Sequence, residues 1–415
     1  MPHRIVFFLL FLQATFLAGA VDPTTLDNKV LIGYQGWFTC PEDGSARWTH
    51  WSHGTPAPDT LTVELFPDLQ ELGPDERCPV PGMTIAGKPA YLFSSRNPKT
   101  VARHFAWMRQ YGLDGVLVQR FVGLIPTMEA DGDVVLKNVM AAAQESGRTF
   151  AIEYDISGAD PATFAQTIQN DWQHLVHKLH VTSHPRYQHH NGKPLLSVWG
   201  IGLNDGNNHP PADPQTAREL IEWFQSKAPV ECRVTYMGGV SSHWATLNGD
   251  SRTDPAWAEV YASMDVVQPW NVGRYRMDSV DRWKQEVLAS DVKLAADHHQ
   301  LYMPVIFPGF SWSNLKPGAA PNQIPRLRGE FFWRQAYNAK MAGAKVLKIA
   351  MFDEVDEGTA IFKVVSHRDQ APEQGYWLTL DADGADLPSD WYLHLAGEIT
   401  KMFHGEIAPD PKLPK

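Results

Sequence analysis

The amino-acid sequence predicts a (β/α)8 TIM barrel, an α/β fold, and three observations point there. Eight short apolar, β-branched or aromatic runs are spread along the 415 residues, and stretches of helical period separate most of them. Several runs are apolar throughout rather than alternating, which is how parallel strands read when both faces are covered. No glycine-rich phosphate loop follows the first run, so the competing arrangement, a doubly wound open sheet, lacks its usual signature.

In chain order, the first strand is expected at residues 30–38 (VLIGYQGWF), followed by a helix over 100–111 that puts Val101, Phe105 and Met108 on one face. Strands at 115–121 (GVLVQRF), 150–155 (FAIEYD) and 195–199 (LLSVW) come next, then a helix over 213–226. The remaining strands are expected at 233–237 (RVTYM), 264–270 (MDVVQPW), 302–307 (YMPVIF) and 346–352 (VLKIAMF), with helices over 278–289 and 327–342. Proline and glycine, 31 of each, gather at 39–89, 202–214 and 313–325, which read as loops decorating one barrel. The run DADGADLPSDW near the C-terminus superficially resembles a calcium loop but lacks the required Gly and Glu. A capped helix starting at Ser389 is expected there instead.

Arg4, the apolar run 5–12 continuing to Leu17, and Ala18-Gly19-Ala20 have the pattern of a secretory signal peptide. The expected organisation is therefore a signal at 1–20 and one catalytic barrel at 21–415, secreted or periplasmic after cleavage near Ala20. No run is long enough to span a membrane. An exported chain with three cysteines has room for one bridge, and Cys40 and Cys78, in the same insertion, are the expected pair. Cys232 reads as a buried thiol. Without Arg4 the chain has 35 basic and 47 acidic residues, a net charge of −12, which argues against nucleic acid and for a neutral or cationic partner. A monomer is expected.

The last run ends in four carboxylates within five residues, Asp353, Glu354, Asp356 and Glu357, followed by Gly358 and Thr359. Carboxylates this crowded repel one another and hold protons near neutral pH, which acid/base chemistry on a glycosidic bond requires. Barrel active sites form at the carboxyl ends of the strands. The residues at the expected strand ends are Tyr34, Gln35, Trp37, Arg120, Tyr154, Asp155, Trp199, Trp270, Asn271, Phe310, Trp312 and Asp353, beside Glu354 and Glu357. Such a ring suits a sugar, whose C–H faces stack on aromatic rings while its hydroxyls bond carboxylates, amides and guanidinium groups. His50 and His53, in the stretch after the first strand, are further candidates for sugar contact. The histidine pairs, including 189–190 and 298–299, have no metal-ligand spacing, so neither a metal nor a cofactor is implied.

The segment Glu354-Val-Asp-Glu357-Gly-Thr resembles the E-x-x-E-G-T signature of the endo-α-mannosidases of glycoside hydrolase family 99, in the wider grouping with the family 71 glucanases. Gly33-Tyr-Gln-Gly-Trp-Phe38, Glu153-Tyr154-Asp155 and Lys193-Pro-Leu-Leu-Ser-Val-Trp199 are similar to that family's first, third and fourth strands. The resemblance implies that Glu354 is a base toward a sugar 2-hydroxyl, giving a 1,2-anhydro sugar, and that Glu357 is the acid/base at the leaving oxygen. Phe352, Asp353 and Val355 stand where the family usually has Trp, so the substrate-facing surface differs. The function expected is a hydrolase cleaving a poly- or oligosaccharide with this Glu pair. The alternative is a carbohydrate-binding protein on an inactive barrel.

Overall fold

The computed structural model describes residues 19–207 and 209–414. The expected signal peptide therefore falls almost wholly outside the described residues. Strand β1 (Val30–Tyr34) leads into a long excursion carrying the hairpin β2 (Cys78–Ile85) and β3 (Lys88–Leu92), then α1 (Pro98–Gln110). There follow β4 (Gly115–Phe121), α2 (Ile125–Ser146), β5 (Thr149–Asp155), α3 (Phe164–His177), the short β6 (His189–His190) and β7 (Lys193–Ile201). Next come α4 (Pro214–Glu222), β8 (Thr235–Val240), α5 (Trp257–Ala262), β9 (Val266–Pro269), α6 (Val280–Trp283) and α7 (Ala289–Asp297). The chain finishes with β10 (Leu301–Tyr302), β11 (Val305–Ile306), α8 (Glu330–Met341), β12 (Leu347–Ile349) and α9 (Trp391–His404).

The sheet order is β10-β9-β8-β7-β5-β4-β1-β12-β11, with every neighbouring pair parallel. Because β10 and β11 are two parts of one extended segment, this order is a closed ring, the (β/α)8 barrel. The seventh strand changes neighbours along its length. Met303 donates to Val267 of β9 at 2.9 Å, and Pro304 accepts from Lys348 of β12 at 3.0 Å. One apolar core fills the space between ring and helices, including Val116, Val118, Ile152, Val198 and Val267 from the strands and Phe105, Leu136, Ile168 and Trp172 from the helices. Among the described residues no helix is long and apolar enough to cross a membrane.

Cys40 and Cys78 are bridged, with Cα atoms 6.3 Å apart, and Cys232 is a buried free thiol. The hairpin of β2 and β3 corrects the reading of 39–89 as loop: CPVPGMTI pairs with KPAYL despite its prolines, across an irregularity between Pro79 and Thr84. The helix expected from Ser389 begins two residues later, at Trp391.

Candidate active site

Register decides which side chains reach the barrel interior. Across β4, β5 and β7, Gln119 is level with Glu153 and Glu153 with Ser197. These three point inward: Gln119 Nε2 donates to Glu153 at 3.2 Å, and the Ser197 hydroxyl also donates to Glu153, at 2.8 Å. Lys348 of β12 completes the layer, its Nζ 2.5 Å from Glu153 and 3.0 Å from Gln268 Oε1, with lysine and glutamate both fully buried. Two residues further along, Phe121, Asp155 and Trp199 also point inward, because side chains alternate along a strand. They line a cavity of about 810 Å³ at the carboxyl ends of the strands, together with Gln35, Trp37, Trp270, Phe310, Trp312, Glu354 and Glu357.

The intervening residues face the other way, which corrects part of the expected substrate-binding ring. Arg120 donates to Asp171 of α3 at 2.8 Å through Nε and to Asp133 of α2 at 3.3 Å, while the Tyr154 hydroxyl donates to Asp171 at 2.6 Å. This buried cluster ties the barrel to its helices and does not reach the cavity. Tyr34 likewise turns outward, its hydroxyl 3.0 Å from His104 Nδ1 on α1. Asn271 is buried against the Val305 carbonyl, and Asp353 accepts from the backbone N–H groups of Gln35 at 2.7 Å and Gly36 at 2.9 Å. Asp353 thus joins β1 to the acidic segment instead of facing a ligand. His50 stacks on Trp37 with ring centres 3.6 Å apart, so it backs the cavity wall; burial lowers its pKa to about 3 and keeps it neutral.

The acidic segment is a folded-back loop, not a solvated turn. Ala360 donates to the Glu354 carbonyl at 2.8 Å and Phe362 to that of Phe352 at 3.0 Å. Buried Arg326 donates to the carbonyls of Gly358 at 2.8 Å and Ala360 at 2.7 Å. Gly358 has φ +65°, and a Cβ there would lie 3.0 Å from the Ser311 nitrogen and 3.1 Å from its carbonyl oxygen. Glu354 and Asp356 are only 5% and 4% exposed, and Glu357 is partly exposed at the cavity wall.

Burial governs how these acids titrate. Desolvation raises Glu354 well above the usual carboxylate range, reinforced by the charges of Asp356 and Glu357, while the Gln35 amide, which donates to its Oε2, opposes the rise. Its hydrogen bond with Asp356 raises Glu354 and lowers Asp356, while desolvation raises both. Desolvation, then Asp356 and Asp155, push Glu357 up to about 8. Desolvation also pushes Asp155 up to about 6 and Asp353 to about 7.

The cavity also holds residues that the strand-end reading passed over: Gln119, Ser157, Asp205, His209, Arg274 and Arg276. Asp205 accepts from His209 Nε2 at 3.0 Å, which with further contacts lowers the carboxyl to about 2. Both lie in the 202–214 insertion, where no periodicity marks inward positions. Gln119 was within reach, being two residues before the inward-facing end of its strand. The arrangement presents aromatic walls, one firmly ionised carboxylate and several proton-holding acids.

No family profile matches the chain, and no curated protein matches its sequence. Solved structures do match. A family 99 endo-α-mannosidase from Bacteroides thetaiotaomicron, in complex with bis-tris propane, superposes with a TM-score of 0.66 at 19% identity, covering 92% of this chain and 99% of that one. A second structure of a family 99 endo-α-mannosidase from the same organism gives 0.67 at 17% identity with the same coverage. A glycoside hydrolase-like protein gives 0.56 at 12% identity, covering 94% and 98%. The barrel fold of family 99 thus extends over nearly the whole chain.

Proposed function

We propose that the protein is an exported glycoside hydrolase that cleaves a poly- or oligosaccharide in the 810 Å³ cavity, with Glu357 as general acid and Glu354 as base. One observation carries this reading: Glu354 and Glu357 line an aromatic-walled barrel cavity with Asp356 buried beside them, and burial raises the pKa of all three carboxyls. The likeness in fold to family 99 enzymes and the E-x-x-E-G-T segment support it.

A protonated Glu357 donates to the glycosidic oxygen as the bond to the anomeric carbon breaks. Glu354 and Asp356 share one proton and therefore retain one negative charge between them. That pair takes the proton of the adjacent sugar hydroxyl, whose oxygen closes onto the anomeric carbon to give the 1,2-anhydro sugar. Water then attacks the anomeric carbon and breaks its bond to the 2-oxygen; the pair returns its proton to that oxygen while Glu357, now ionised, accepts the proton of the water, so the anomeric configuration is retained. Gln35 orients Glu354 through its amide N–H. The rings of Trp199 and Trp270, packed edge to face with centres 5.3 Å apart, offer flat faces for sugar C–H groups. The test is a panel of plant, algal and microbial glycans incubated with the purified protein, with mapping of the products. Release of oligosaccharides from at least one glycan, lost in Glu357→Gln, is expected; binding without cleavage throughout would replace the hydrolase with a binding protein.

A further inference from the structure

Three basic side chains stand on the cavity wall beside Glu357, and among the described residues only one of them is paired with a carboxylate. Arg274 and Arg276, from the loop between β9 and α6, both line the cavity. Arg274 is anchored through Nε to Asp250 at 2.9 Å, and Asp250 is itself fixed by Ser242 and His243. This leaves the two terminal amino groups of Arg274 without a bond to any described residue. Arg276 is exposed and, among the described residues, its guanidinium has neither an ion pair nor a hydrogen-bond partner. Lys316, from the neighbouring loop after β11, lies 5.8 Å from the Trp312 ring centre, and it too has no carboxylate partner among the described residues. Arg274 and Lys316 are close enough to Glu357 for their charges to oppose the rise of its pKa.

We infer that this wall binds an anionic substituent, a carboxylate or a sulfate ester, on the substrate ring next to Glu357. The inference rests on the hydrolase reading above and narrows its substrate class to acidic glycans. Guanidinium groups present paired N–H donors that match a carboxylate or sulfate in two-point contact, and a lysine adds a point charge. Asp250 neutralises Arg274 and holds it in place, so the uncompensated charges are those of Arg276 and Lys316. Of the cavity's acids, Asp205 is ionised and bonded to His209, Asp155 is raised only to about 6, and Glu357, the acid nearest this wall, holds its proton up to about pH 8. The net charge of −12 without Arg4 had pointed to neutral or cationic partners, but charges distributed over the whole surface are screened within about 10 Å, whereas these two loops act at contact. Local charge therefore sets the preference of the cavity.

The experiment measures affinity of the Glu357→Gln protein, which keeps the cavity's shape, for a sulfated galactan oligosaccharide, its desulfated counterpart, an oligouronate and a neutral oligomannoside of matched length. At least tenfold tighter binding of one acidic ligand than of the neutral ligands is expected, equivalent to about 1.4 kcal/mol. Which acidic ligand is preferred identifies sulfate or carboxylate. The ratio of acidic to neutral affinity should fall about tenfold in the added Arg276→Gln and Lys316→Gln background, and with rising salt. Both positions are exposed, so folding is not at issue. Equal binding of all ligands, preference for the neutral ones, or an acidic preference indifferent to both substitutions would overturn the inference. Absence of cleavage of every glycan by the unsubstituted protein would instead remove the hydrolase reading, and the binding comparison would still decide this one.

Discussion

Glu357 shows how one side chain's surroundings set its chemistry. Its ordinary pKa is 4.5, and desolvation, Asp356 and Asp155 raise it to about 8, against the pull of Lys316 and Arg274. A raised pKa means that the protonated form, which the acid role needs, is present below about pH 8 and is lost as pH rises through that value. The rate, followed as kcat/KM, should therefore fall on the alkaline side. Asp155→Asn removes one of the raising charges, so this alkaline limb should move to lower pH; a limb that stays in place would show that Asp155 does not act on the group being titrated. At this scale the place of Glu354 and Glu357 on the cavity wall was legible from their position, directly after the last apolar run, where barrel strand ends meet. Arg120 and Tyr154 were misplaced because GVLVQRF and FAIEYD do not show which parity faces inward. Only the register, which sets Gln119 level with Glu153, reveals it.

The loop that follows β12 owes its shape to contacts from other elements. Glu64, in the first excursion, donates its backbone N–H to the Val355 carbonyl at 2.9 Å, Ser311 donates to that of Glu357 at 2.9 Å, and Arg326 binds the carbonyls beyond. Gly358→Ala would place a methyl group against Ser311 at a positive φ, costing about 1–3 kcal/mol by denaturant unfolding and lowering kcat with it. Unchanged stability together with unchanged kcat would mean that the loop does not need this geometry. Elements were legible where composition was plain. The run 302–307 was seen as one strand, but its division at Pro304 between two neighbours depends on ring closure, which no local pattern encodes. The β2–β3 hairpin was hidden by the prolines of CPVPGMTI, residues that usually mark loops. The Cys40–Cys78 bridge, by contrast, followed from a shared insertion and the inferred export.

For the whole molecule, the barrel converts eight separate strand ends into one cavity, which is why residues as far apart as Gln35 and Glu357 share a wall. The ring itself was readable from repeated strand and helix periods, because each βα unit contributes its own local signal. The cavity's loops were not, since the 202–214, 270–279 and 311–325 segments take their positions from packing on neighbouring units. The central claim is that Glu357 protonates the leaving oxygen within this cavity. Its most direct test compares Glu357→Gln with the unsubstituted protein on two substrates sharing the same sugar, one with a poor alkoxide leaving group and one with an activated aryl leaving group. The account predicts a loss in kcat of about 10²–10⁴ on the first and little loss on the second, because only the first needs the proton. Equal losses on both substrates would contradict it.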